Sequence, residues 1–195
     1  MFHNYFLGID DGYFNILYKR VEPKRKTILV GVLTRNRRIV DIIFNNITID
    51  SLDGTQKVLE IVEDALSLHE VNAVFLDGVT YAGFNIVDPT KIYRIYSIPV
   101  ITVFRYPLDL EKIYAALKKH FPDHEYRYSV IKHVYMSSNR IRVGDTTLRY
   151  FSIGLPIHQA EAILSFLCRY YSYPYPLHVA DRIASLLGRL YYEEY

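Results

Sequence analysis

The stretch Tyr5–Gly12, YFLGIDDG, is an apolar run that stops at two aspartates and a glycine. Its counterpart is Ala73–Gly78, AVFLDG, which stops at one aspartate and a glycine. Short apolar runs closed by turn formers read as buried strands. Between them lies Thr55–Leu68, where Val58, Leu59, Ile61, Val62, Ala65 and Leu66 recur at helical spacing. In the order of elements set out below, the first run lies beside the strand that follows this helix, and the two run parallel. Both strands then end on one edge, the first with Asp10 and the second with Asp77.

Between the first run and this helix, Tyr13–Lys19, Thr27–Leu33 and Ile39–Phe44 are β-rich runs parted by polar breaks, which predicts an antiparallel meander. On the other side, Asp88-Pro89 supplies an N-cap and a first-turn proline for a short helix through Tyr96. Pro99–Phe104 reads as a strand, and Leu110–His120 as an amphipathic helix. Alternation in YRYSVIKHVYM and a second run, TTLRYFSI, predict an extra hairpin around 125–151. Helices over Ile157–Tyr171 and Leu177–Tyr191 close the chain. Three or four antiparallel strands followed by helix–strand–helix–strand–helix is an α/β arrangement of the ribonuclease-H-like kind, a mixed sheet with C-terminal helices. No repeat or composition break divides residues 1–195, so one domain is expected.

The 195 residues suffice for a full core, and a hydrophobic share of 50% against 23% charged excludes a disordered chain. Net charge is +2, so a nucleic-acid partner would have to be met by a local basic patch. The single cysteine, Cys168, excludes an internal disulfide and sits in an apolar run, as a structural thiol does. No run approaches the ~20 residues of a membrane span, and the N-terminus lacks the pattern of a signal peptide. A soluble, cytoplasmic protein is expected. The aromatic tail Tyr191, Tyr192 and Tyr195 leaves a homodimer open.

Asp10 and Asp77 leave the sheet where ligands of open α/β sheets gather. Asp53 begins the intervening helix near that edge. Three converging carboxylates repel one another, and a hard divalent cation, Mg2+ or Mn2+, would relieve the repulsion. Other readings exist for each. Asp10-Asp11-Gly12 and Asp77-Gly78 serve as turns. Asp53 serves equally as an N-cap, its spacing to Gln56 resembling a capping box, and Asp50 competes for the same slot. Asp11 should face away from Asp10. His158 with Glu161 and His178 with Asp181 are i,i+3 pairs, ordinarily solvated; Asp181 stands out because ribonuclease-H-like enzymes often draw a last ligand from a late helix. Basic clusters at Lys19–Lys26 and Arg35–Arg38 could meet phosphates or merely keep strands soluble.

LGIDDG at Leu7–Gly12, LDGVTYAGFNIVD at Leu76–Asp88, IDSLDGT at Ile49–Thr55, IPV at Ile98–Val100 and PYPLHVADRIA at Pro174–Ala184 resemble segments of the archaeal endonuclease dU family, which is related to endonuclease V. The resemblance implies cleavage of DNA containing deaminated bases, deoxyuridine above all, with a divalent metal. It makes Asp10 and Asp77 the metal pair, with Asp53 as third acid. Thr80, Tyr81, Gly83, Phe84 and Asn85 become the wall of a base pocket, where Asn85 would bond a base edge and Tyr81 or Phe84 would stack on it; Phe84 is equally a core residue. The family's closing motif is Arg-x-Ala-His, where this chain has His178-Val179-Ala180-Asp181. The expectation is a metal-dependent endonuclease. The alternative is a nucleic-acid- or partner-binding module without catalysis.

Overall fold

A computed structural model describes residues 4–15, 25–35 and 37–193. Strand β1 (Tyr5–Asp11) is the third strand of a seven-stranded sheet. On one side stand β2 (Lys26–Arg35) and β3 (Arg38–Thr48), each antiparallel to its neighbour. On the other stand β4 (Ala73–Asp77) and β7 (Val100–Phe104), both parallel to β1. The ladder continues through β9 (Thr146–Ile153) to the edge strand β8 (Asn139–Val143), giving the order β3-β2-β1-β4-β7-β9-β8. A two-stranded ribbon, β5 (Thr80–Tyr81) with β6 (Asn85–Ile86), projects from the end of β4. The fold is ribonuclease-H-like, as the order of elements predicted.

Helices cover both faces. On one, α1 (Gly54–Leu68) buries Val58, Ile61, Val62 and Ala65 against Leu7, Ile9, Val74 and Leu76. On the other, α5 (Ile157–Leu167) and α6 (Tyr175–Glu193) pack over Phe6, Ala73, Phe75, Ile101 and Val103. The strict alternation of β1 and β4 between these two sets fixes which face every following residue takes. Helix α6 approaches β1 so closely that a Cβ on Gly8 would stand 2.4 Å from the Pro176 carbonyl carbon, and one on Gly12 2.6 Å from the Ala184 oxygen. Glycine at these positions lets backbone lie on backbone. Helices α2 (Pro89–Tyr96), α3 (Leu110–His120) and α4 (His124–Met136) complete the molecule.

Several local expectations are corrected. Strand β1 runs on through Asp11, so Asp10-Asp11 is no hairpin turn. Of Tyr13–Lys19, only Tyr13–Asn15 fall among the described residues and they form no strand. The hairpin expected around 125–151 starts at Asn139, because 124–136 is helical: Arg127, Ile131, Val134 and Tyr135 are its buried residues, a helical spacing that β-favouring residue types disguised. Asp88 caps α2 as predicted, accepting from the Thr90 and Lys91 amides. Asp53 precedes α1 but its side chain makes no cap bond, so the capping box does not form. The last helices span Ile157–Leu167 and Tyr175–Glu193, the former shorter than predicted.

Candidate active site

The last registered pair of β1 with β4 is Ile9 with Leu76; one residue beyond come Asp10 and Asp77. Alternation puts both on the face that α6 covers, in line with Phe6, Gly8, Ala73 and Phe75. Two residues past Val103 on the same face of β7 comes Arg105, just beyond the strand. Helix α6 supplies Asp181, next to the buried Ala180. Thus the carboxyl ends of three parallel strands and one covering helix deliver Asp10, Asp77, Arg105 and Asp181 to one place.

The electrostatics follow from that crowding. Burial pushes the Asp10 carboxyl well above its ordinary range, and Asp77, Asp11 and Asp181 push it further. Asp77 is also raised by burial, against the opposing pull of Tyr173 and Arg105. Asp11 faces the other side of the strand, where its Oδ2 accepts the Ala82 amide at 2.7 Å; burial raises it to about 7. Arg105 Nη2 lies 3.6 Å from Asp77 and 3.5 Å from Asp181, and its guanidinium stacks 4.3 Å above the Tyr173 ring. Burial works against its charge, but Asp77, Tyr173 and Asp181 outweigh that and raise its pKa. The Tyr173 hydroxyl beside them is buried, with no hydrogen bond of normal geometry.

Among the described residues, no three His, Cys, Asp or Glu side chains are grouped closely enough to hold an ion as they lie. Between Asp77 and Asp181 the cation present is Arg105. The donor chemistry nevertheless fits a hard dication: Asp10, Asp77 and Asp181 offer oxygen only, they repel one another, and an orphaned hydroxyl lies alongside. With 22% of its side chain exposed, Asp77 is open to solution.

Asp53 is drawn elsewhere. It starts α1, which covers the opposite face of the sheet, and its oxygens accept from Thr48 Oγ1 at 2.7 Å and from Asn85 Nδ2. Asp50 accepts the Phe84 amide at 2.8 Å. Neither is among the groups that chiefly shift Asp10. The 80–85 segment divides. Asn85 is fully buried and committed to Gly54, Thr48 and Asp53. Tyr81 is fully buried too; its hydroxyl accepts the Asp77 amide and donates to the Ile9 carbonyl. Tyr81 braces the ends of β1 and β4, Asn85 ties the end of β3 to the start of α1, and neither lines the cavity beside Asp77. Gly83 turns the ribbon with φ +89°. Thr80 and Phe84 do line a cavity of about 190 Å³ beside Asp77, walled mainly by Val79, Phe104, Leu108, Ile113 and Ile131. Buried Arg127 fixes its rim by donating to the Phe84 and Ser51 carbonyls.

The remaining candidates fall outside. Glu161 accepts the Tyr150 hydroxyl at 3.1 Å, and His178 stacks on Tyr171 at 4.3 Å. Burial raises the Cys168 thiol to about 12, which suits a structural residue. Lys19, Arg20 and Lys24 lie outside the described residues. Arg105 and the α3–α4 wall of the cavity were missed from sequence; the signal for Arg105 was its place as the first charge after an apolar strand, in phase with Val103.

The model of the family described as Endonuclease dU matches residues 4–188. A UPF0215 protein of Thermococcus gammatolerans is 39% identical over 127 residues, which are 65% of this chain and 64% of that protein. One of Thermococcus sibiricus is 36% identical over 159 residues, 81% of this chain and 78% of its own length. Among solved structures, a protein of unknown function from Archaeoglobus fulgidus superposes with a TM-score of 0.78 at 28% identity, covering 94% of this chain and 97% of that one. Ciona intestinalis endonuclease V, in complex with DNA containing an inosine, gives 0.57 at 11% identity, covering 98% and 87%. This last likeness is one of fold.

Proposed function

Because the chain belongs to the endonuclease dU family, we propose that it is a nuclease that cuts DNA beside a deaminated base, deoxyuridine foremost, with a divalent cation. The observation that carries the reading is the meeting of Asp10, Asp77 and Asp181 at one strand edge beside an apolar cavity. A bound Mg2+ or Mn2+ would supply a lowered pKa for water and neutralise charge on a phosphodiester. Asp10, Asp77 and Asp181 are the residues to hold it; Asp53 braces Asn85 and Thr48 instead.

The cavity suits an extruded base. Its walls are apolar, Phe84 and Phe104 offer ring surfaces, and Thr80 offers a hydroxyl for a base edge. A base seated there lies against Gly78, where a left-handed φ of +72° and the missing side chain leave the backbone next to Asp77 uncovered. Arg105 lines the same cavity and reaches the acids, so a phosphate attached to that base would meet its guanidinium.

The test is a nicking assay on oligonucleotides carrying uracil, hypoxanthine or an unmodified base, with and without Mg2+. Cleavage confined to a lesion strand, dependent on Mg2+ and lost in a folded Asp77→Asn variant, is the expected result; full activity of that variant sinks the assignment. One observation favours a binding module without catalysis: the Arg105 guanidinium already stands between Asp77 and Asp181 as their shared cation. That reading predicts DNA binding with no metal effect and no cut in any substrate. No helix among the described residues is long and apolar enough to cross a membrane.

A further inference from the structure

A second cavity, of about 280 Å³, opens on the other side of the Phe104–Tyr106 segment and is lined by Arg105, Arg140 and Arg149 together with Tyr135 and Thr147. Arg140 and Arg149 stand directly opposite each other on β8 and β9, an arrangement that costs stability when both carry like charge. Arg149 is in turn opposite Phe104, the neighbour of Arg105. Among the described residues no carboxylate lies within ion-pair distance of Arg140 or Arg149. Arg149 is nevertheless fixed: it stacks 4.3 Å over the Tyr135 ring and donates from one nitrogen to the Tyr135 carbonyl and Ser138 Oγ. Its other nitrogens are left for a ligand. Arg140 is exposed. In a chain of net charge +2, Arg140 and Arg149 without a carboxylate partner, beside an Arg105 that Asp77 and Asp181 already share, make a local positive field with an unmet demand for an anion.

We propose that this hollow binds a backbone phosphate of the nucleic-acid strand whose base enters the apolar cavity across the Phe104–Tyr106 wall. Planar guanidinium forks match phosphate oxygens, and phosphate contacts fix register without reading sequence. The β8–β9 hairpin, which lengthens the sheet beyond β7, thereby becomes the arm that aligns the strand with the acidic edge. The inference rests on the nuclease reading but is tested by binding alone.

The experiment is fluorescence anisotropy of a labelled uracil-containing oligonucleotide over a salt series, in EDTA so that nothing is cut. Arg140→Ala should lower affinity up to about tenfold at low salt and flatten the log–log salt slope by about 0.7 for a single strand or 0.9 for a duplex, the value of one phosphate. Arg140→Glu should weaken binding further, and Arg94→Ala on α2 should leave the slope unchanged. If both Arg140 variants keep the wild-type slope and affinity, the phosphate site is overturned while the nuclease reading stands. Competition with inorganic phosphate and with deoxyuridine monophosphate separates the sources. Binding of either that depends on Arg140, with oligonucleotide binding that does not, assigns the hollow to a free nucleotide and overturns the strand-phosphate assignment.

Discussion

Asp77 on β4 and Asp181 on α6 reach the same guanidinium nitrogen: Arg105 Nη2 lies 3.6 Å from one and 3.5 Å from the other. The three side chains keep between 22% and 34% of their surface exposed, so each ion pair is screened and individually weak. A monovalent cation held this loosely is displaceable by a divalent one, whose Coulomb attraction to the same carboxylates is doubled.

Arg105→Ala should therefore bind Mn2+ several-fold more tightly than wild type in calorimetry at pH 7.5, while its affinity for a lesion oligonucleotide falls. An unchanged Mn2+ affinity would mean that the guanidinium does not compete for the acids.

The acidic edge also makes stability depend on pH in an unusual sense. Asp11 has a folded-state pKa of about 7, above the ordinary 3.8, and burial is the main cause. Between these values the folded protein binds more protons than the unfolded chain. The contribution is therefore fully present below about pH 4 and is lost as pH rises through 7. Asp10 and Asp77 are raised in the same direction. In EDTA the melting temperature should fall from pH 4.5 to 7.5 once other carboxylates are accounted for. Asp11→Asn, which can still accept the Ala82 amide, should raise the pH 7.5 melting point relative to wild type by a few degrees, at about 2–4 °C per kcal/mol. No difference at pH 4 is expected. A variant that melts lower at pH 7.5 would contradict the burial of a charge at this position.

The sheet was legible because its signals are local: an apolar run stopping at Asp10, a meander, a helical period and a second apolar run stopping at Asp77 give, in that order, an arrangement in which the two runs lie side by side and parallel. The alternation that orients Asp10 and Asp77 toward one face was also in the sequence. What was not legible is which face α1 and α6 each cover. Asp53 looked near the site along the chain, yet α1 carries it to the far side of the sheet, while Asp181, far along the chain, comes back on α6. Tyr81 and Asn85 were placed in the pocket wall by the family resemblance; only the three-dimensional bonds to Ile9, Asp77, Gly54 and Thr48 reveal them as braces.

These placements separate Asp53 from Asp181 experimentally. Asp53→Ala deprives Thr48 Oγ1 and Asn85 Nδ2 of an acceptor and should cost about 1–2 kcal/mol, seen as a lower urea midpoint. Its nicking rate per folded molecule should stay within about twofold of wild type. Asp181→Asn should do the opposite: little change in midpoint and a loss on the order of a hundredfold in Mg2+-dependent nicking. The reverse pattern would restore Asp53 as the third acid.

The position of Asp181 depends on how near α6 lies to β1, and Gly8 sets that approach. A methyl group there would meet the backbone of Pro176 at 2.4 Å and Leu177 at 2.5 Å, atoms that no rotamer change can move. Gly8→Ala must lift the start of α6, at about 1–3 kcal/mol, and carry Asp181 away from Asp77. Gly31→Ala is the matched control. Its Cβ would stand 2.4 Å from Ile61 Cγ2, a side-chain atom on the α1 face, so it disturbs packing without touching α6. Both variants should melt below wild type. Measured per folded molecule, Gly31→Ala should keep its Mg2+-dependent nicking, whereas Gly8→Ala should lose at least tenfold while still binding the oligonucleotide in EDTA. Equal specific activity in the two variants would show that the spacing of α6 on β1 does not set the geometry of the acidic edge.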